Sequence, residues 1–399
     1  MPVAGSLNNS KNPPIPEKVP FWYDPAKRGI VFQVLVLALV LALGFYLVTV
    51  TQANLKRQSI ATGFGFISRE AGFEIGESLI AYSPASTYAR AIQVGILNTL
   101  KVASIGIVLT IILGAFVGVA RLSTNWLLSR LAAAYIEVLQ NIPVLLQLFF
   151  WYAVFHELPH PRQSINPLSG LFLNNRGLYF PLPVPHPAHG RMAAIFVIAC
   201  ITSYFLYRWA KKRQDRTGQT FPMWSVSTLL VVGLPLLAWL VSGMPTELNV
   251  PRIAGFNFEG GISVSPEFGA LLLGLVLYTS AFVAEVVRAG IQAISRGQTE
   301  AAMSLGLRPG LVLTLIILPQ ALRVIIPPLT SQMLNLTKNS SLAVAIGYPD
   351  LVSVANTTIN QTGQAIEGVL MIMLVYLIFS LVTSAFMNWY NKKMALVER

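Results

Sequence analysis

The stretch that decides the reading is Arg296-Gly-Gln298-Thr-Glu300-Ala301-Ala302-Met-Ser-Leu-Gly306-Leu-Arg308-Pro309-Gly310, completed further on by Ile316-Ile-Leu318-Pro319. It is a short polar segment between two long apolar runs. Glu300, Ala301 and Ala302 are strong helix formers, so Gln298 to Gly306 is predicted as a short helix with Gly306 just past its end. Pro309 and Gly310 then turn the chain into the next run. Alanines leave a low surface that another body can approach closely, and glycine turns the backbone without a Cβ penalty. A compact plug with a sharp return is what a chain needs where something outside the membrane grips it.

The flanking runs define the class. The 399 residues are 54% hydrophobic and 11% charged, with a mean hydropathy of +0.62. A soluble domain carries about 25% charged residues, so this chain cannot cover a water-facing surface. Apolar runs fall at 30–51, 96–120, 132–155, 192–209, 224–242, 268–287, 312–334 and 369–389. They are near the length a helix needs to cross a bilayer, the fourth and fifth barely, and too long for barrel strands. The expectation is an all-α polytopic membrane protein with about eight crossings. The first run is too long and too far from the N-terminus for a cleaved signal peptide.

The net charge of +12 has a bland explanation in the excess of Lys and Arg on cytoplasmic loops, and no nucleic-acid partner is implied. With the N-terminus inside, seventeen of the Lys and Arg fall on cytoplasmic segments, among them Arg208, Lys211, Lys212, Arg213 and Arg216. Nine fall on the opposite side, and Lys101 and Arg323 lie within runs. Both termini and the Glu300 segment are therefore expected in the cytoplasm. Residues 1–28, with Pro13, Pro14, Pro16, Pro20 and Pro25, read as a polar tail, with Phe21, Trp22 and Tyr23 at headgroup level. Pro181, Pro183, Pro185 and Pro187 favour extended structure over helix in the loop before the fourth run.

Several polar residues inside the runs are candidates for function. Glu285 and Arg288 are three apart on one predicted helix and able to pair; the pair reads either as a gate or as a structural ion pair near the membrane surface. Lys101, one turn from Asn98, either snorkels outward or neutralises a substrate carboxylate. Asn335, Thr337 and Asn339 are placed to hydrogen-bond a zwitterion near the outer end of the seventh run. Gly114 and Gly118 read as a helix-packing step. His156, His160, His186 and His189 lack an acidic or cysteine cluster to complete a metal site, and the lone Cys200 makes no intrachain disulfide. No phosphate-binding loop, nucleophile elbow or zinc-protease helix is present in the sequence, so no enzyme is expected.

The Glu300–Pro319 pattern resembles the EAA loop of bacterial ABC importer permeases, the dock for a cytoplasmic ATPase. Tyr278-Thr-Ser-Ala-Phe-Val-Ala-Glu285-Val-Val-Arg288-Ala-Gly290, together with Arg296-Gly-Gln298 and its continuation, is similar to the histidine-permease branch for polar amino acids. Tyr135-Ile136-Glu137 with Pro143, Leu146, Gln147, Leu148 and Phe149 fits that branch, although Gln140-Asn141-Ile142 stand where it has Arg-Gly-Thr. Lys338-Asn339-Ser340-Ser341-Leu342 resembles a further segment of the family. Trp22-Tyr-Asp-Pro, with Arg28-Gly29 and the added helices, looks most like the longer permease subunit of general L-amino-acid transporters.

The resemblance implies a five-helix core formed by 96–155 and 268–391, with the coupling loop at 298–319. It also implies additions at 29–95 and 156–267, and a second cytoplasmic tail at 392–399. Glu300, Ala301, Ala302, Gly306, Ile316, Leu318 and Pro319 would couple to the ATPase. Lys101, Asn98, Glu285, Arg288, Asn335, Lys338, Asn339, Ser340 and Ser341 are the candidates for a substrate path or gate. The implied partners are ABC ATPase subunits carrying ATP and Mg, a second and different permease chain, and a periplasmic amino-acid-binding protein. The implied setting is the bacterial inner membrane, with an L-amino acid as cargo and no cofactor on this chain. An ion-coupled carrier and a non-transporting scaffold are the rival readings.

Overall fold

A computed structural model describes residues 22, 24–57, 62–255 and 257–394. The proline-rich tail before Trp22, together with Phe21 and Tyr23 and their expected place at headgroup level, lies outside the described residues, as do residues 395–399 of the second tail. The chain is mostly helical. In order it forms α1 (Pro25–Arg57), α2 (Tyr88–Arg121), α3 (Trp126–Asn141) and α4 (Val144–His156). The strands β1 (Phe172–Asn174), β2 (Gly177–Phe180) and β3 (Leu182–Pro183) follow. Next come α5 (Pro187–Thr217), α6 (Met223–Thr228), α7 (Leu234–Val241), and then β4 (Leu248–Asn249), β5 (Arg252–Ala254), β6 (Asn257–Glu259) and β7 (Ile262–Val264). The last part is α8 (Pro266–Gln292), α9 (Arg296–Ser304), α10 (Pro309–Val312), α11 (Leu318–Asn339), α12 (Leu351–Thr362) and α13 (Ala365–Met394).

Among the described residues, seven helical stretches are long and apolar enough to cross a bilayer. The third run differs from the others. The single crossing expected over 132–155 is broken into α3 and α4, bent by 105°. The break has a local cause. Ile142, preceding Pro143, is extended (ψ 126°) because proline disfavours the helical region there. The buried Gln147 amide then donates to the Leu139 and Ile142 carbonyls, 2.9 Å each, which the bend leaves without helical donors.

Whether the bent pair crosses follows from the packing around it. A Cβ on Gly114 of α2 would lie 2.5 Å from Val283 of α8, and one on Gly118 would lie 2.6 Å from the Ala284 carbonyl and 2.9 Å from Val287. The contacts advance in the same direction along both chains, so α2 and α8 run parallel. Parallel helices require an odd number of crossings between them. The bent pair, α5 and the α6–α7 stretch supply three, so the bent pair counts as one crossing and the described residues hold up to eight.

The same arithmetic fits the strands. In one sheet β2 pairs antiparallel with both β1 and β7, and β3 pairs with β4 in a second. The end of α4, the start of α5, the end of α7 and the start of α8 therefore meet at one face, under a small cap. Extended structure from Pro181 matches the alternating prolines, but Pro187 starts α5 instead of prolonging it, since a first-turn proline needs no N–H.

The centre of the molecule is α8. It is capped by Ser265, whose hydroxyl accepts from the Phe268 N–H at 3.2 Å, and it packs on α2, α3, α4 and α11. Small residues permit this: Gly274 faces Leu148 of α4, and Gly290 faces Ile325 of α11. Leu271, Leu275, Leu148 and Tyr348 form the fully buried middle.

Candidate functional site

The Glu300 segment is a separate helix, α9, set between the end of α8 and the start of α11. Ser295 caps it, accepting from the Gly297 N–H at 3.3 Å. It stops at Gly306 (φ +78°), whose N–H donates to Met303 O at 2.9 Å while Leu307 N–H donates to Ala302 O at 3.3 Å. This is the paired-bond ending that a left-handed glycine allows. Only Ala302 turns inward. Glu300, Ala301 and Met303 are exposed, and Leu305 is 83% exposed. Glu300 makes no ion pair among the described residues. Apolar side chains and an unpaired carboxylate on a helix too short and polar to enter lipid mark a contact surface.

The second half of the pattern lies where the chain re-enters long helix. After α10, residues Leu313–Ile317 form one wide turn, in which Leu318 N–H reaches back five residues to Leu313 O. Pro319 has no N–H to offer the preceding turn, and widening that turn is a common way to absorb the loss. Gln320 Nε2 donates to Ile316 O at 3.0 Å. The spacing that joins Gly306 to Ile316, Leu318 and Pro319 thus spans a short rigid helix, a turn and a wide-turn joint.

The path candidates fall into three places, not one. Glu285 and Arg288 sit at the same end of α8 as α9 and make a two-point ion pair, with Arg288 Nε 3.0 Å from Glu285 Oε2 and a second nitrogen on Oε1. Arg288 also reaches Gln292 Oε1 at 2.7 Å. Lys101 and Asn98 lie near the opposite end. Lys101 is paired with Glu77 and lies 4.1 Å from the Phe268 ring centroid. Asn98 is fully buried and donates to Glu77 O at 2.8 Å and Pro349 O at 2.9 Å. Asn335 and Lys338 share an exposed stripe of α11 with Ser331 and Val324. Thr337 and Ser340 turn away from it, donating to Met333 O and Thr337 O. Ser341 donates to Lys338 O at 2.7 Å, and Asn339 is half-buried.

Sequence reasoning missed the partners. Glu77 holds Lys101, accepts from Ser265 Oγ at 2.8 Å and so joins the segment before α2 to the cap of α8. Asp350, outside the crossings, caps α12 by accepting from Ser353 N–H at 2.8 Å. Burial pushes its carboxyl up to about 7, against its hydrogen bonds, which pull the other way. Thr99 accepts from Leu351 N–H at 3.1 Å, and a Cβ on Gly95 would lie 3.0 Å from Leu351 Cα. The Asp-x-x-Ser spacing at 350–353 was the one local signal available. Among the described residues no three His, Cys, Asp or Glu side chains converge as a metal site. His186 instead caps α5, accepting from Ala188 N–H at 3.2 Å.

A helical core packed around α8, with the short helix α9 exposed beside it, is the build of a multi-pass membrane protein. The profile of the family "Binding-protein-dependent transport system inner membrane component" matches residues 106–396, and the chain belongs to that family. It is therefore a multi-pass inner-membrane permease, not an enzyme, of a kind that works with ATPase and binding-protein partners. It is 52% identical over 94% of its length to the general L-amino acid transport system permease protein AapQ of Rhizobium johnstonii, covering 94% of that chain. It is 41% identical to the glutamate/glutamine/aspartate/asparagine transport system permease protein BztB of Rhodobacter capsulatus, over 94% of this chain and 96% of that one. Among solved structures, an amino acid ABC transporter with histidines matches at 20% identity and a TM-score of 0.45, over 77% of this chain and 95% of that one.

Proposed function

We propose that this chain is one of two different permease subunits that carry L-amino acids into the cell, driven by ATP and Mg on partner ATPases. The full-length likeness to amino-acid permeases supports the cargo. The observation that carries the coupling is α9: a short helix with Glu300 and Ala301 exposed and Ala302 turned inward, stopped at Gly306 and mounted between α8 and α11. Glu300, Ala301, Ala302 and Gly306 form the plug, and Ile316, Leu318 and Pro319 form the joint through which its movement reaches α11. Termini and α9 lie in the cytoplasm, on the lysine- and arginine-rich side. The core is 96–155 with 268–391, and 29–95 and 156–267 are additions to it.

Movement of α9 biases the core between two openings, which requires ATP binding to favour one of them by about 5 kcal/mol for a complete switch. Asn335 and Lys338 on the exposed stripe of α11 line the path, with Asn339 and Ser341 beside them. Glu285 and Arg288 close its inner end. Lys101, Asn98 and Ser340 hold its frame. The test is uptake of labelled L-amino acids by proteoliposomes holding the permease pair, the ATPase and the binding protein. Uptake should require ATP and survive collapse of the membrane potential and proton gradient. Uptake driven by an ion gradient without ATP contradicts the proposal.

A further inference from the structure

The hairpin of α5 and α6–α7 packs on itself and makes no more than marginal contact with α2, α8, α11 or α13. It is held to the rest of the chain through the cap, at one end only. The other end is therefore positioned by something that is not the core of this chain. That end is also the most basic segment of the protein.

Arg191 and Arg208 bracket about 26 Å of α5 at 1.5 Å per residue, close to the thickness of the hydrocarbon layer. The helix does not stop at Arg208. It continues to Thr217, ending on the left-handed Gly218, so about 14 Å of rigid helix projects past the apolar layer. On this projection lie Arg208, Lys211, Lys212, Arg213 and Arg216, against the single acid Asp215. None of the five makes an ion pair among the described residues. Arg213 lies over the Trp209 ring at 5.6 Å, and Phe221 closes edge-on to Trp209 at 5.7 Å. Trp224, at the start of α6, is 90% exposed. Amphipathic rings at the foot of a cationic projection are the arrangement of a headgroup boundary.

We infer that the α5 tip is a docking surface for anionic phospholipid headgroups of the cytoplasmic leaflet, resting on the topology proposed above. Five cations against one acid match a phosphate-rich layer by charge, and the aromatic foot matches its depth. The hairpin is thereby a strut: lipid holds one end, and the other carries the cap, whose β7 strand pairs with β2 and leads directly into α8. An acidic face of the ATPase is the rival occupant. The ATPase surface proposed here is α9, which lies between α8 and α11, helices the hairpin barely touches.

The experiment compares the assembled complex with the variant Lys211→Gln/Lys212→Gln/Arg213→Gln, leaving Arg208 and Arg216 to preserve the orientation signal. Both are purified after equilibration with mixed phosphatidylglycerol and phosphatidylcholine, and retained lipid is measured by mass spectrometry. Retained phosphatidylglycerol should fall roughly tenfold or more, because each cation near an anionic surface contributes severalfold in affinity, with phosphatidylcholine unchanged. Unchanged phosphatidylglycerol overturns the inference. So does loss of the ATPase subunit with lipid retention intact, which would assign the tip to the ATPase. Topology is read separately by labelling Arg216→Cys in a Cys200→Ser background. Labelling from the outer face would overturn the leaflet assignment and the topology together, whatever the lipid measurement gave.

Discussion

Helix α8 and the α5–α7 hairpin are all apolar enough to cross a bilayer, α5 the least so, yet they sit in opposite environments. More than half of the apolar window of α8 is buried (61%), against 11% for α5 and 6% for the α6–α7 stretch. The difference is made by small residues facing neighbours. Gly114, Gly118, Gly274 and Gly290 each admit a side chain or carbonyl of another helix where a Cβ would stand, whereas Gly190 on α5 faces open space. Hydropathy therefore reports that a segment belongs in the membrane. Whether it belongs to the moving core is written in where its glycines fall.

The comparison breaks most sharply at the α2–α8 crossing. Gly118→Val places carbon within 3 Å of the Ala284 carbonyl and should cost about 3 kcal/mol, seen as loss of the assembled complex after membrane extraction. Next is the polar tie at the end of the core opposite α9. Glu77→Ala leaves Lys101 without its counter-charge and Ser265 without an acceptor, at a cost of about 2 kcal/mol. Thermal denaturation of the purified complex measures it, and an unchanged midpoint would mean that the pair holds nothing.

A smaller effect comes from Asp350. Its carboxyl titrates near 7 in the fold and about 3.9 when unfolded. The folded state then holds an extra proton between these values, so this group's contribution to stability is fully present below about pH 4 and declines as pH rises to about 7. Tyr376 lies 3.5 Å from Oδ2, and Tyr348 is a further titratable group interacting with it. Asp350→Asn should remove the decline in melting temperature between pH 5 and 7. A slope that survives places the titration elsewhere. The smallest effect belongs to the hairpin: Gly190→Ala should leave stability unchanged or raise it by up to ~1 kcal/mol. A large loss there would mean that the hairpin is packed against something after all.

Local chemistry made part of this legible in the sequence. The helix at Arg296–Ser304 and its stop at Gly306 follow from propensity and a left-handed glycine, both properties of neighbouring residues. The run of apolar residues through Ile142-Pro143 concealed a bend, because hydropathy does not register a missing N–H. Lys101 looked free or substrate-facing because its partner, Glu77, lies in a loop with no periodicity to mark it. Asn98 meets Pro349 across 251 residues of chain, a distance at which no spacing rule operates. The cap strands, two to four residues long and paired between loops on either side of the hairpin, were beyond reach for the same reason.

If a separate motor grips α9, the contact is within reach of chemistry placed on the helix itself. The direct measurement is site-specific crosslinking from Ala301, changed to a photoreactive residue, in the assembled complex, scored together with ATP-dependent uptake by Glu300→Lys. The prediction is a crosslink to the ATPase subunit whose yield changes with bound nucleotide, and an inserted Glu300→Lys permease that no longer transports. No crosslink to the ATPase, with full uptake by Glu300→Lys, would contradict it.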